Sequence, residues 1–411
     1  MTMDDFGEAV VASWATAPSD ALVTPPLAQM TVRQFITPHW DAQVMRLRLS
    51  NRYAQLPVTL ENLFVAEQAL EGSAATVPGS ACALSVKGQS RFTIPAGGSV
   101  VSDAIVFPVQ AFSSIAISFF APQVVPQLTR HLDAVEVPYF SLPGDYSQDT
   151  SGAAFVPAPI SLSNNFLLLE ALEVAAPSTV GTLVAVGDSI TDGSGNLAFT
   201  VAGLTGANPA VGQDQRYPDF LARRVLNAGL PLSVVNKGIS GNKLLSPGTV
   251  PQFGPALLER FDHDVLATPG LSHILLMIGT NDLGVGIPAS AQAIIDGYIE
   301  LIDAAHAAGV QIALGTMPPA KGAVSGELPL GLSDSVGILH GSPQAVASRL
   351  QINEWIRKQS LSDGFVDFYA CLEDPDNAGY LHPEYNSGDN LHPNAAGYAA
   401  MAECVDLELF R

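Results

Sequence analysis

The sequence predicts two domains of different class: a β-sandwich or jelly-roll-like domain over residues 1–165, then an α/β domain with a parallel central sheet over residues 178–411. Three observations lead there. Short alternating runs without helical periodicity fill the first part. After residue 178, fully apolar runs alternate with amphipathic stretches. Between them the chain changes character near residue 165, at Asn164-Asn165-Phe166-Leu167-Leu168-Leu169, within a boundary window of 150–178.

In the first part, Val44 to Leu49 places Met45, Leu47 and Leu49 on one face and Arg46 and Arg48 on the other, the pattern of a half-buried strand. Val58 to Ala66, Val100 to Val109 and Ile115 to Phe120 read in the same way, separated by Pro, Gly, Asn and Ser clusters. In the second part the apolar runs are Thr182–Val186, Ser233–Val235, His273–Ile278, Val310–Leu314 and Phe365–Phe368. The helical stretches between them include Tyr217–Leu226, Ala291–Ala307 and Gln344–Lys358. Strands apolar on both sides imply a parallel sheet covered on both faces. Reactive residues of such sheets follow the carboxyl ends of the strands.

Composition narrows the function. The chain has 411 residues, of which 47% are hydrophobic and 14% charged, so it can bury a large core. With 39 Asp+Glu against 18 Lys+Arg the formal net charge is -21, which argues against nucleic acid and against docking on anionic lipid. A salt-adapted source and ordinary solubility both give this balance. No apolar run is long enough to span a membrane. The start, Met1-Thr2-Met3-Asp4-Asp5, is acidic where a signal peptide is basic. As written the chain is expected to be cytoplasmic, with secretion or a periplasmic location open if a signal was removed. Cys82, Cys371 and Cys404 are sparse and odd in number, so the expectation is three buried, inert thiols with no disulfide framework and no structural zinc.

Four segments carry the chemistry, and each follows an apolar run. The first is Gly187-Asp188-Ser189-Ile190-Thr191-Asp192-Gly193. It is not a Gly-x-Ser-x-Gly nucleophile elbow, because Thr191 stands where the second Gly would be, and a Ser here also suits a helix start. The second is Asn236-Lys237-Gly238-Ile239-Ser240-Gly241-Asn242, either a plain turn or a loop whose backbone N–H can approach a substrate closely. Third comes Gly279-Thr280-Asn281-Asp282, in which Asn281 closes an Asx turn or donates its amide to a developing oxyanion. The fourth is Gly388-Asp389-Asn390-Leu391-His392-Pro393-Asn394. An Asp three residues before a His can hold the imidazole tautomer and stabilise the imidazolium. Asn394 is placed to cap a last helix, Ala395 to Leu407.

In this order, these segments resemble the SGNH, or GDSL, hydrolase superfamily over about residues 180–411, whose signature types are Ser, Gly, Asn and His. The resemblance implies a flavodoxin-like three-layer α/β/α domain and a serine esterase that needs no cofactor. It implies Ser189 as nucleophile, His392 as general base and Asp389 as orienting acid. Gly241 N–H, the Asn281 side chain and the Ser189 N–H are the implied oxyanion donors. Ser13-Trp14, Thr31-Val32-Arg33-Gln34 and Arg48-Leu49-Ser50-Asn51 look like a two-domain bacterial subgroup with a β-rich N-terminal domain.

Other residues compete for these roles. His382 also lies in Leu-His-Pro, but Asp376 six residues earlier lacks the compact Asp-x-x-His spacing. His263, His273, His306 and His340 show no carboxylate constellation and are expected to be surface or structural groups. Asp262-His263-Asp264 is expected to be a solvated turn rather than a metal site. Asp188 is expected to anchor its loop, and Asp192 and Asp282 to be structural. The substrate implied is a small-molecule or carbohydrate ester, with an acyl pocket walled by the long stretches 192–216, containing Leu197, Phe199 and Leu204, and 317–345. Their small residues suit a short acyl chain. Acyl transfer to an alcohol, or carbohydrate binding by a vestigial hydrolase, are the rival readings.

Overall fold

The computed structural model describes residues 9–158, 164–194, 212–323 and 339–411. Most of 192–216, with Leu197, Phe199 and Leu204, and much of 317–345, expected to wall an acyl pocket, lie outside the described residues. The chain divides into two compact units at Val180/Gly181, and residues 212–214 group with the first. The strand Leu169–Ala176 therefore belongs to the first unit, beyond the expected end at residue 165.

The first unit is built of antiparallel sheets. A five-stranded sheet is centred on Ala42–Ser50 and Leu169–Ala176, and a seven-stranded one on Met30–Ile36, Ile115–Ala121 and Val58–Glu67. Three further strands, Asp20–Leu27, Val125–Leu132 and Asn165–Leu167, form a third sheet. Side chains from all three sheets share one core that includes Met45, Leu47, Leu49, Leu60, Val65, Ile117, Leu128 and Leu172. Residues 100–109 are two strands, Ser99–Val101 and Ile105–Val109, rather than one. Both pair with Ala42–Ser50. Asp103 in the break between them accepts from Ser85 and from the Lys87 and Gly88 N–H groups.

Arg46 and Arg48 do not form a solvent face. Each donates to one oxygen of Glu173, which is fully buried on the neighbouring strand, at 2.7 and 2.8 Å. Arg46 lies in register with Glu173. Arg33 is buried likewise; it donates to Ser118 Oγ and the Ala74 carbonyl, and its guanidinium lies 4.3 Å from the Phe155 ring centroid. Gln34 bonds both the N–H and the C=O of Leu167. In this unit the polar residues of the Thr31–Gln34 and Arg48–Asn51 motifs are internal clamps.

The second unit is an α/β fold with a five-stranded parallel sheet. Its order is Leu232–Asn236, Gly181–Gly187, Leu271–Met277, Gln311–Gly315, Gly364–Val366, the flavodoxin-like 2-1-3-4-5. The strands are buried on both faces: Leu183 to Val186, Val234, Ile274 and Leu275 are all but fully enclosed. Helices Ala291–Ala307 and Pro343–Lys358 pack together, as do Tyr217–Asn227 and Ala395–Glu403, the two groups that right-handed crossovers place on opposite faces. The last apolar run ends at Val366, and Phe368 opens the helix Phe368–Leu372.

Two expectations are corrected here. Cys371 and Cys404 form a disulfide, with Cα atoms 6.4 Å apart, and only Cys82 is a free, half-buried thiol. Spacing along the chain hid the pair because its cysteines end two helices that meet only in the fold. Asp262-His263-Asp264 is a π-helical turn within Asp262–Leu266, continuing the helix Leu257–Phe261. Asp264 is buried there against the equally buried Arg260, at 3.1 Å.

Candidate active site

The central strand Gly181–Gly187 has its partners on both sides: Ala185 is in register with Asn236 and Gly187 with Met277. The strand order reverses at this point, where open α/β sheets open a crevice beyond the strand ends. Chain leaving the central strand turns directly into a one-turn helix, Ser189–Asp192. Asp188 caps it by accepting the Ile190 N–H at 3.1 Å, and Gly193 ends it in the left-handed region. Ser189 is thus the first helical residue, whose N–H has no partner within the helix.

Hydrogen bonds join all four segments. Ser189 Oγ is 2.8 Å from His392 Nε2, and His392 Nδ1 is 2.6 Å from Asp389 Oδ2. The second segment is tied to the first through Asn236 Nδ2, which donates to the Thr191 carbonyl, and through Ser240 N–H and Oγ, which donate to Asp192. Asn281 Nδ2 donates to the Asn242 carbonyl at 3.0 Å, which ties the third segment to the second. Beneath them Arg260 donates to Asn242 Oδ1 and to the Lys237 and Gly187 carbonyls. Gly241 has a positive φ of 76°, and a Cβ there would lie 2.3 Å from the Phe253 ring, so two constraints call for glycine.

The fourth segment is built around Asp389. One of its oxygens accepts the N–H groups of Leu391 and His392; the other takes the imidazole. Burial pushes this carboxyl up, but the bonds and charge of His392 outweigh it and hold the group well below the usual carboxylate range. Asn390 is held in the left-handed region (φ 60°), and Asn386 accepts the Gly388 and Asn390 N–H groups. Two residues beyond His392, Asn394 caps the helix Ala395–Glu403 by accepting the Gly397 N–H. The disulfide joins the residue after that helix to Phe368–Leu372, so the loop it closes contains both Asp389 and His392.

The remaining acids are structural in this geometry. Asp188 is fully buried, and burial pushes its carboxyl up to about 7. Asp282 accepts the N–H groups of Leu244 and Leu245, and burial pushes it up to about 6. His306 and His263, expected to be surface or structural groups, each lie within 3.0–3.3 Å of one carboxylate: Asp363 at the surface and Asp264 respectively. His382 accepts the Glu384 N–H. His340 has no carboxylate constellation in the sequence to mark it; its ring is buried with Nε2 3.1 Å from Asn281 Oδ1. Among the described residues no group of three or more His, Cys, Asp or Glu could hold a metal ion, and no helix is long and apolar enough to cross a membrane.

A fold with its reactive side chains at the switch point of a parallel sheet, and a Ser–His–Asp chain of hydrogen bonds there, defines a hydrolase class. The family model of the GDSL-like lipase/acylhydrolase family matches residues 185–400, more than half of the chain, and the chain belongs to that family. It is a carboxylic ester hydrolase of the SGNH/GDSL type. Among solved structures it is similar to a GDSL-like lipase from Bacteroides thetaiotaomicron, at 21% identity and a TM-score of 0.37, over 56% of this chain and 87% of that one. It is also similar to an acetyl xylan esterase from Geobacillus stearothermophilus, at 22% identity and a TM-score of 0.34, over 56% of this chain and 96% of that one. No curated protein matches the chain.

Proposed function

We propose that the protein hydrolyses short-chain acyl esters through an acyl-enzyme on Ser189. The observation that carries this reading is the unbroken sequence of contacts from Ser189 Oγ to His392 Nε2 and from His392 Nδ1 to Asp389. Ser189 Oγ attacks the ester carbonyl as its proton passes to His392 Nε2, and Asp389 stabilises the imidazolium. The Ser189 and Gly241 N–H groups and the Asn281 amide stabilise the oxyanion. Collapse of the tetrahedral intermediate breaks the ester C–O bond, and His392 returns the proton to the leaving alcohol. A water then gives a proton to His392 and its oxygen to the acyl carbon; the second collapse frees the acid and restores Ser189. A short acyl group, such as the acetyl of a carbohydrate or of a small aryl or alkyl ester, suits the small residues of 192–216 and 317–345 and the Phe253 ring over Gly241.

A chain-length series of p-nitrophenyl esters, run beside acetylated sugars, tests the reading. Ser189→Ala should lose roughly 10⁴-fold or more in kcat with its melting temperature kept. A fluorophosphonate probe should label wild-type Ser189 alone. Near-wild-type turnover by Ser189→Ala would overturn the mechanism, and a preference for chains of about twelve carbons would overturn the acyl-chain assignment. Added alcohol acceptors that divert most of the acyl group would point to transfer in place of hydrolysis.

A further inference from the structure

His340 and Asn281 are 59 residues apart and meet in the interior. His340 is 3% exposed and sits just ahead of the helix Pro343–Lys358. Its backbone is fixed from three sides. Leu339 N–H donates to the Gly284 carbonyl at 2.6 Å, Gly341 N–H donates to Ala323, and Arg349 Nη1 donates to the His340 carbonyl at 3.3 Å. The ring lies against the one-turn helix Thr280–Gly284 that carries Asn281. A Cβ on Gly284 would come within 2.1 Å of His340 Cδ2, so the absence of a side chain there lets the imidazole in.

The chemistry of the contact fixes the direction of the amide. The Asn242 carbonyl can only accept, so the Asn281 group facing it at 3.0 Å must be the NH₂. The opposite atom is then Oδ1, which can only accept, so the His340 Nε2 at 3.1 Å must carry the proton. Nδ1 is left as a buried acceptor with no partner among the described residues. Burial and the neighbouring Arg349 charge push the ring down to about 3, so it stays neutral with its single proton on Nε2. With one N–H given to Asn242 and the oxygen held by His340, the second amide N–H of Asn281 has a set direction. A preset donor is what an oxyanion hole requires, because it costs no reorganisation during the reaction.

We infer that His340 is a positioning residue for the oxyanion donor Asn281, locking its carboxamide through Nε2–H···Oδ1. The inference rests on the reading of Asn281 given above. It is tested with His340→Gln, whose amide N–H can reach the same oxygen, and His340→Asn, whose amide is too short to do so. His340→Leu, Asn281→Ala and the Leu/Ala double variant complete the set, with kcat, KM and melting temperature for p-nitrophenyl acetate as readouts. His340→Gln should stay within about 3-fold of wild type in kcat. His340→Asn and His340→Leu should fall about 10- to 100-fold with KM little changed, less than the roughly 10²–10³-fold of losing the donor outright. In the Asn281→Ala background, His340→Leu should cost no further kcat, because the group it orients is gone. Equal kcat for the Gln and Asn variants, or multiplicative losses in the double variant, would overturn the inference. An Asn281→Ala enzyme with wild-type kcat would instead sink the oxyanion reading itself, and this inference with it.

Discussion

Buried acid is handled in two ways in this molecule. In the first unit Glu173 meets a guanidinium through each oxygen, from Arg46 and Arg48. In the second unit Asp188 and Asp282, beside Ser189 and the Asn281 amide, are met by backbone N–H groups, and among the described residues no Lys or Arg forms an ion pair with either. Burial therefore dominates and their carboxyls rise to about 7 and about 6. The closed cluster serves cohesion between strands. The open arrangement leaves these carboxyls to orient loops through backbone N–H groups, at the cost of sensitivity to pH.

The largest expected effect concerns the covalent brace of the loop that carries Asp389 and His392. The Cys371–Cys404 bridge joins residues 33 apart, and closing a loop of that size in the unfolded chain is worth about 3–4 kcal/mol. Cys371→Ser/Cys404→Ser should therefore lower the melting temperature by on the order of 10 °C. An unchanged transition in calorimetry would show that Asn394 and the packing of Ala395–Glu403 hold the loop alone.

Breaking the closed cluster comes next. Glu173→Ala takes from Arg46 and Arg48 the buried carboxylate that each of them meets. Removing one partner of a buried pair costs roughly 3–5 kcal/mol, and Arg48, 27% exposed, can recover some hydration, so about 3 kcal/mol is expected. Hydrogen exchange should show that loss in the strands Ala42–Ser50 and Leu169–Ala176. Equal protection in the variant would mean that the cluster contributes specificity of register and little stability.

The open arrangement predicts a dependence on pH whose sign can be worked out. A carboxyl raised in the folded state contributes most below its unfolded pKa of about 3.9, and that contribution is lost as pH rises through the folded value. Asp188 and Asp282 should thus cost stability as pH climbs from about 5 to 8. Asp389 runs the other way, because its folded pKa is lowered; its contribution is lost as pH falls through the acid range. Asp188→Asn keeps a good N-cap and removes the charge. It should flatten the fall in melting temperature between pH 5 and 8, by about 2 kcal/mol of stability at the upper end. A fall as steep as in wild type would place the ionisation elsewhere.

The sequence displayed much of this, and the physical reason for the remainder is consistent. Apolar runs show which faces are dry, so the parallel strands and the segments that follow them could be read along the chain, and the cap at Asn394 was readable from its neighbours. What a polar side chain meets across the interior is set by register and by packing between distant segments. Glu173 lies 127 residues from Arg46, and nothing local distinguishes a paired arginine from a solvated one. For the same reason His340 carried no signal: its partner is an amide, and it reaches it only through the side-chain-free face of Gly284. Asp264, three residues past the end of the helix Leu257–Phe261, reads as solvated until Arg260 is seen paired with it.

The smallest effect is the most local. Asn394 accepts the Gly397 N–H and sends its own amide to the carbonyls of Glu384 and Asn386. It therefore joins the last helix to the start of the loop that carries Asp389 and His392. Asn394→Ala should cost about 1 kcal/mol as a lost cap. Asn394→Asp keeps the acceptor for Gly397 and loses both donors to the loop. If the cap alone matters, the Asp variant should match wild type in melting temperature and in kcat. If the link to the loop matters, it should match in melting temperature yet lose a few-fold in kcat, because His392 is then less firmly held against Ser189. The second outcome is expected, since the helix end and the catalytic loop meet in this one side chain.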